Sequence, residues 1–154
     1  MGTLRAVLEH PEDLMALVRI KVEAARMKRQ IPPQPHWAFC YSMLDKISRT
    51  FAFVIQLLPP DLRNAVCIFY LVLRALDTIE DDPNISSDKK VPVLQSYYQH
   101  IRDSDWSLSC GREDFKILVD KFHFVSMAFL ELEKRFSFHL FVSALSVMVV
   151  PLCS

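Results

Sequence analysis

Residues 77–82 read Asp-Thr-Ile-Glu-Asp-Asp, and Asp77, Glu80 and Asp81 stand three, one and four residues apart. In a helix those spacings place the three carboxylates on or beside one face, within about a turn of each other. Clustered hard oxygen ligands suit a divalent cation. Mg²⁺ in particular takes one or two carboxylates, keeps several waters and fills its remaining positions with phosphate oxygens. The chemistry implied is metal-assisted binding of a diphosphate; the plain alternative is a solvated acidic helix end with no ligand. Upstream, Arg63, Cys67, Tyr70 and Arg74 continue the same face at alternating spacings of four and three, so the stripe is expected to front a cavity. A second polar group, Ser48-Arg49-Thr50, interrupts an apolar run between Ile47 and Phe51. A guanidinium fork matches phosphate oxygens, so this triplet is either a phosphate grip or a surface patch.

These groups need a helix to position them. Between Pro59-Pro60 and Asp82-Pro83 every residue is compatible with one, which predicts a helix over 61–82 of about six turns. Most of its surface is apolar, from Leu62 and Val66 to Leu73 and Leu76, as in a helix buried nearly all round. Its acids crowd the C-terminal turn, where the helix dipole is negative and each costs about 0.3–1 kcal/mol. Arg74 is the one compensating charge in the stretch, and local rules broken in this way mark functional sites.

Around it, Pro11 opens a surface helix running to about residue 29, with Leu14, Leu17, Val18 and Ala25 as a partial apolar face and a basic end at Arg26, Lys28 and Arg29. Residues 31–36 form an extended connector. Helices are predicted at 37–58, 91–101 and 112–133, the last with Phe115, Leu118, Val119, Phe122, Val125, Phe129 and Leu132 on its apolar side. The 83–88 loop reads equally as a lid or as an ordinary connector. His123 has no partner at metal-ligand spacing and is given no role.

Composition excludes several classes. A chain of 154 residues predicts one domain, and 51% hydrophobic against 23% charged residues calls for extensive burial or a missing partner. Eighteen basic residues balance eighteen acidic ones, which leaves no overall field for nucleic acid. Cys40, Cys67, Cys110 and Cys153 form no C-x-x-C pair, so reduced thiols rather than zinc ligands are expected. With Gly2 and Gly111 as the only glycines, no glycine-rich phosphate loop can be written. Glu9, Glu12 and Asp13 interrupt any N-terminal signal run, and Ala6 stands where a myristoylation motif wants Ser or Thr.

The segment from Tyr70 to Asp82 resembles the first aspartate-rich motif of the squalene synthases of eukaryotes. Pro35-His-Trp-Ala-Phe-Cys-Tyr41, Ser48-Arg-Thr-Phe51 and Ala65-Val-Cys-Ile-Phe-Tyr70 resemble the same family in the same order, and the likeness runs from the N-terminus to about Glu133. Thr50 stands where many members have Ser. The resemblance implies an all-α helical bundle, the N-terminal part of an isoprenoid-synthase fold. The family condenses two farnesyl diphosphates through presqualene diphosphate to squalene, with Mg²⁺ and NADPH, at the cytosolic face of the endoplasmic reticulum membrane. By the same resemblance, Asp77, Glu80 and Asp81 bind the metal and Arg49 and Arg74 take phosphate groups of NADPH or substrate. Ser48, Arg49, Thr50, Phe51 and Asp77 contact substrate, and Tyr70 turns its ring to the reacting carbons, where a π face stabilises a carbocation. Phytoene synthases are the nearest alternative, but their counterpart motif tends to read Asp-Glu-Leu-Val-Asp, against Asp77-Thr-Ile-Glu-Asp81 here.

From Lys134 the likeness stops, which divides the chain into a family-like part, 1–134, and an apolar tail, 135–154. Family members continue with helices carrying a second aspartate-rich motif, further NADPH contacts and a C-terminal anchor, whereas Asp77 and Asp81 are the only aspartates here spaced by four. The expectation is a truncated or alternatively spliced form without squalene turnover. The competing class is an inactive helical fragment that works as an interaction or membrane-associated protein. The uncharged run 136–153 would span roughly 27 Å as a helix, and two readings stay open: membrane association anchored by Lys134 and Arg135, or packing on the other helices. Without the family's anchor a cytosolic location is expected; oligomeric state is left open.

Overall fold

The computed structural model describes residues 11–28 and 30–135, and proline sets many of the borders. Helix α1 spans Pro11–Lys28, α2 Pro35–Ile47, α3 Arg49–Gln56 and α4 Pro60–Asp81. They are followed by α5 (Ser87–Gln95), α6 (Tyr97–Ile101), α7 (Glu113–Asp120) and α8 (Phe122–Arg135). Among the described residues the fold is all-α. Pro35 and Pro60 sit in the first turns of α2 and α4, where a missing N–H costs nothing and a fixed φ favours the helix.

Three expected helices are each two. The predicted 37–58 helix breaks at Ser48, whose φ of −151° and ψ of 94° are extended. Its N–H still bonds Leu44 O, ending α2, while its Oγ accepts from Phe51 N at 3.3 Å and caps α3. The predicted 91–101 helix starts earlier, at Ser87, and breaks at Ser96, whose Oγ donates to Pro92 O at 2.8 Å. The predicted 112–133 helix breaks at Lys121. At Ser48 and Ser96 a hydroxyl bonds the neighbouring backbone and competes locally with the helix ladder, which hydrophobic period alone does not register.

Helix α4 is the axis of the bundle, touching α2, α3, α5, α7 and α8. Its Ile68, Leu71, Val72, Ala75, Leu76 and Ile79 are buried against Trp37, Met43 and Leu44 of α2, Ile55 of α3, and Phe122, Val125 and Phe129 of α8. Tyr97 of α6 is fully buried, and its hydroxyl donates to Val72 O at 2.6 Å, so the core keeps no orphan there. Cys40, Cys67 and Cys110 are free and buried; burial pushes all three thiols up, Cys110 to about 11, which leaves them unreactive.

The polar stripe on α4 is only half a cavity wall, contrary to the expectation from spacing. Arg63 is 3% exposed and donates to Leu58 O and Gln30 Oε1, the latter at 3.1 Å, while Cys67 is wholly in the core. Burial on all sides also fails at the helix start, where Leu62 is exposed; Phe53, Val54 and Leu57, shortly before it in sequence, are exposed too. The apolar residues Leu14, Leu17 and Val18 of α1 are exposed as well. No helix among the described residues is long and apolar enough to cross a membrane. The readings for Cys153, for residues 1–10 and for 136–153 fall outside the described residues.

Candidate functional site

The last two turns of α4 set Arg74, Asp77, Thr78 and Asp81 opposite the segment Gly111–Phe115, and a cavity of about 260 Å³ lies between them. Arg74 is held from two sides. Its Nη1 is 3.6 Å from Asp77 Oδ2, and its guanidinium carbon sits 5.0 Å from the centroid of the Phe115 ring. Its Nε is buried and has no hydrogen-bond partner among the described residues. A buried donor left open costs about 1–3 kcal/mol, so a guanidinium kept this way invites an acceptor from outside the described residues.

The acids divide by role. Asp77 and Asp81, one helical turn apart, line the cavity, whereas Glu80 does not. Burial raises the Glu80 carboxyl, with the neighbouring Asp81 and Asp77 adding to it and Lys90 opposing. Among the described residues no three His, Cys, Asp or Glu side chains converge as a metal cage. Two carboxylates facing an open cavity instead fit a cation that draws its other ligands from water and phosphate, as Mg²⁺ does. Asp82 also lines the cavity, but its oxygens are engaged within the chain. It is 8% exposed, and its two oxygens accept from Gly111 N and Asn84 N, each at 2.8 Å, which holds its carboxyl below the usual range.

Arg74 is not the only charge balancing this helix end, as the sequence had suggested. Lys90 Nζ donates to Glu80 O at 2.7 Å and Asp82 O at 2.8 Å, capping the C-terminal carbonyls from α5. With Asp82 bonded to Asn84 and Ile85 N bonded to Asp82 O, the loop after α4 is tied down, which favours the connector reading over the lid.

The other sequence-derived site residues lie elsewhere. Ser48 is a helix cap, and Arg49 and Thr50 are exposed at the start of α3, outside the Asp77 cavity. Phe51 and Tyr70 pair their rings at 4.5 Å between centroids. Tyr70 stands two turns before Asp77 on the same face, about 10 Å along the axis. The Gly111–Phe115 wall had not been read as part of a site. Its one available signal was Gly111, a rare residue in this chain, whose φ of +84° few other residues tolerate. A Cβ there would lie 2.5 Å from Thr78 Cγ2, so the wall approaches α4 as closely as it can.

The raised Glu80 carboxyl makes a testable claim. A folded value above the ordinary 4.5 stabilises the fold fully below pH 4.5, and that contribution is lost as pH rises through the folded value. Glu80→Gln should therefore raise the melting temperature slightly at neutral pH and leave it unchanged in acid. A cation on Asp77 and Asp81 should also pull the Glu80 titration down, read by NMR with and without Mg²⁺. A gain in melting temperature that persisted at about pH 3.5, below the ordinary carboxylate range, would contradict the assignment.

A helical bundle turning the carboxylate-bearing end of its central helix to a cavity of this kind is the N-terminal part of an isoprenoid-synthase fold. It superposes on the solved complex of TcSQS with the ligand BPH1237 with a TM-score of 0.72 at 36% identity, over 78% of this chain and 35% of that one. The chain belongs to the squalene/phytoene synthase family, whose model matches residues 44–148. It is 60% identical over 136 residues to squalene synthase of Nicotiana benthamiana, covering 88% of this chain and 33% of that protein. With squalene synthase 1 of Arabidopsis thaliana it is 57% identical over the same shares. The chain thus spans about a third of the length of these relatives.

Proposed function

We propose that the cavity between α4 and the Gly111–Phe115 wall binds the diphosphate of farnesyl diphosphate through Mg²⁺, as the diphosphate side of a squalene-forming site. One observation carries the reading: Asp77, Asp81 and Arg74, whose buried Nε has no partner among the described residues, line the same cavity. The names of the relatives support the substrate class. Bound Mg²⁺ would neutralise the diphosphate and assist its departure from the allylic carbon. Asp77 and Asp81 hold the cation, with Glu80 beside them adding negative charge, and Arg74 donates Nε–H to a phosphate oxygen. Tyr70, two turns up the same helix face, and Phe51 of α3 paired with it give the prenyl chain an aromatic surface able to stabilise positive charge. Ser48 caps the start of α3, and Arg49 and Thr50, exposed there, would meet a phosphate of NADPH or of a second substrate. NADPH, where bound, would supply a hydride.

Titration calorimetry with pyrophosphate, with and without Mg²⁺, tests the site. Binding only in the presence of Mg²⁺ is expected, because Asp77 and Asp81 repel a bare diphosphate; equal binding without metal would refute it. With one aspartate-rich helix, squalene formation from farnesyl diphosphate, Mg²⁺ and NADPH by this chain alone should stay at background, since cooperating groups fail together. A second reading, a helical fragment acting by association, is favoured by the exposed Phe53, Val54, Leu57 and Leu62. It predicts self-association or membrane pelleting without diphosphate affinity.

A further inference from the structure

Asp82 would pass for one more metal ligand in the acidic run, yet neither of its oxygens is free. One accepts from Asn84 N and the other from Gly111 N, 29 residues further along the chain. Lys90 fixes the same corner by donating to the carbonyls of Glu80 and Asp82. The Gly111 bond is a long-range tie between the end of α4 and the turn that leads into α7. Immediately beyond it come Arg112 and Phe115, which form the wall facing Asp77 and Asp81, and the Phe115 ring supports the Arg74 guanidinium.

We infer that Asp82 is a positioning residue: its carboxylate clasps the Gly111 backbone and so holds Arg112 and Phe115 across the cavity at the distance a metal-bound diphosphate requires. The inference rests on the proposed function for its ligand and on hydrogen-bond geometry for the clasp. Gly111 is the other half of the device. At φ +84°, with Thr78 Cγ2 2.5 Å from where a Cβ would stand, it lets the wall come close enough for its N–H to reach Asp82. Arg112 then adds a cation to the rim on the side opposite the carboxylates, so that metal and guanidinium groups bracket the phosphate oxygens.

The test is calorimetric binding of inorganic pyrophosphate at saturating Mg²⁺ to the full chain, beside Mn²⁺ binding alone followed by electron spin resonance. Asp82→Asn keeps one acceptor oxygen and turns an NH₂ towards the other N–H, so the clasp half opens. The expected loss in pyrophosphate affinity is about 10- to 100-fold, the usual cost of removing a group that orients ligands from behind, with Mn²⁺ affinity unchanged. In an Arg112→Ala background the same substitution should cost little more, because both act through one wall. Gly111→Ala should reproduce the loss from the other side, and Thr78→Ser, which removes the colliding methyl, should recover part of it. That pair also decides the matter if Asp82→Asn does not fold. Unchanged pyrophosphate affinity in Asp82→Asn, additivity with Arg112→Ala, or an equal loss of Mn²⁺ binding overturns the clasp while leaving the proposed function standing. A wild-type chain that binds no Mg²⁺-pyrophosphate overturns the proposed function, and the ligand role of Asp82 with it.

Discussion

Asp77→Asn combined with Asp81→Asn is expected to remove Mg²⁺-dependent pyrophosphate binding, by about a hundredfold or more, beyond the 10- to 100-fold cost of losing supporting groups alone. Both side chains line the cavity, and among the described residues no further carboxylate is placed to take over, because Glu80 lies outside it and Asp82, though part of the lining, is committed to Gly111 and Asn84. The folding control runs in the opposite direction from most double substitutions. These acids occupy the last turns of α4, where the dipole opposes them, so neutralising each contributes about 0.3–1 kcal/mol to the helix. Loss of ligand should therefore come with a melting temperature that holds or rises. Tight Mg²⁺-pyrophosphate binding by the double variant would remove the site from this helix end, and a lower melting temperature would show that the acids make structural bonds.

That opposition between local stability and site chemistry is what made α4 legible in sequence. Its borders are set by prolines and its acids break the dipole rule, so both the helix, expected at 61–82 and found at Pro60–Asp81, and its exceptional end could be read without coordinates. Other features depended on tertiary pairing. Arg63 follows the stripe's period yet is satisfied by Leu58 O and Gln30 Oε1, an arrangement of interhelical connections that periodicity does not encode. Asp82 is chemically indistinguishable in sequence from Asp81, and the two differ because Gly111 N reaches one of them. The Gly111–Phe115 wall was missed for the same reason: a turn brings it to α4 from 30 residues away in sequence, and Phe115 read simply as part of an apolar face. Ser48 was noticed as a polar residue in an apolar run, and a cap was the structural outcome.

The largest stability effect should come from Trp37→Ala, far from the cavity. Trp37 is 1% exposed on α2, the helix that packs most extensively on α8, and its Nε1 donates to Glu131 Oε2 at 3.2 Å. His36 Nε2 meets the same oxygen at 2.7 Å. Burial pushes the Glu131 carboxyl up, but the His36 and Trp37 hydrogen bonds outweigh it and leave the group below its ordinary value. Truncating the indole opens a cavity and strips one donor from the carboxylate, a loss of about 3–5 kcal/mol from a total that for such domains is about 5–15 kcal/mol. The melting temperature should fall by about 6–20 °C, at 2–4 °C per kcal/mol for a chain of this size. Trp37→Phe separates the two contributions, since it keeps most of the ring volume and forfeits only the Glu131 bond, about 1 kcal/mol. A pH series adds a sign. The depressed Glu131 carboxyl stabilises the fold above pH 4.5 and that contribution disappears as pH falls through its lower folded value, so the gap between wild type and Trp37→Phe should shrink in acid. If Trp37→Ala were no worse than Trp37→Phe at neutral pH, ring packing would not be what fastens α2 to α8.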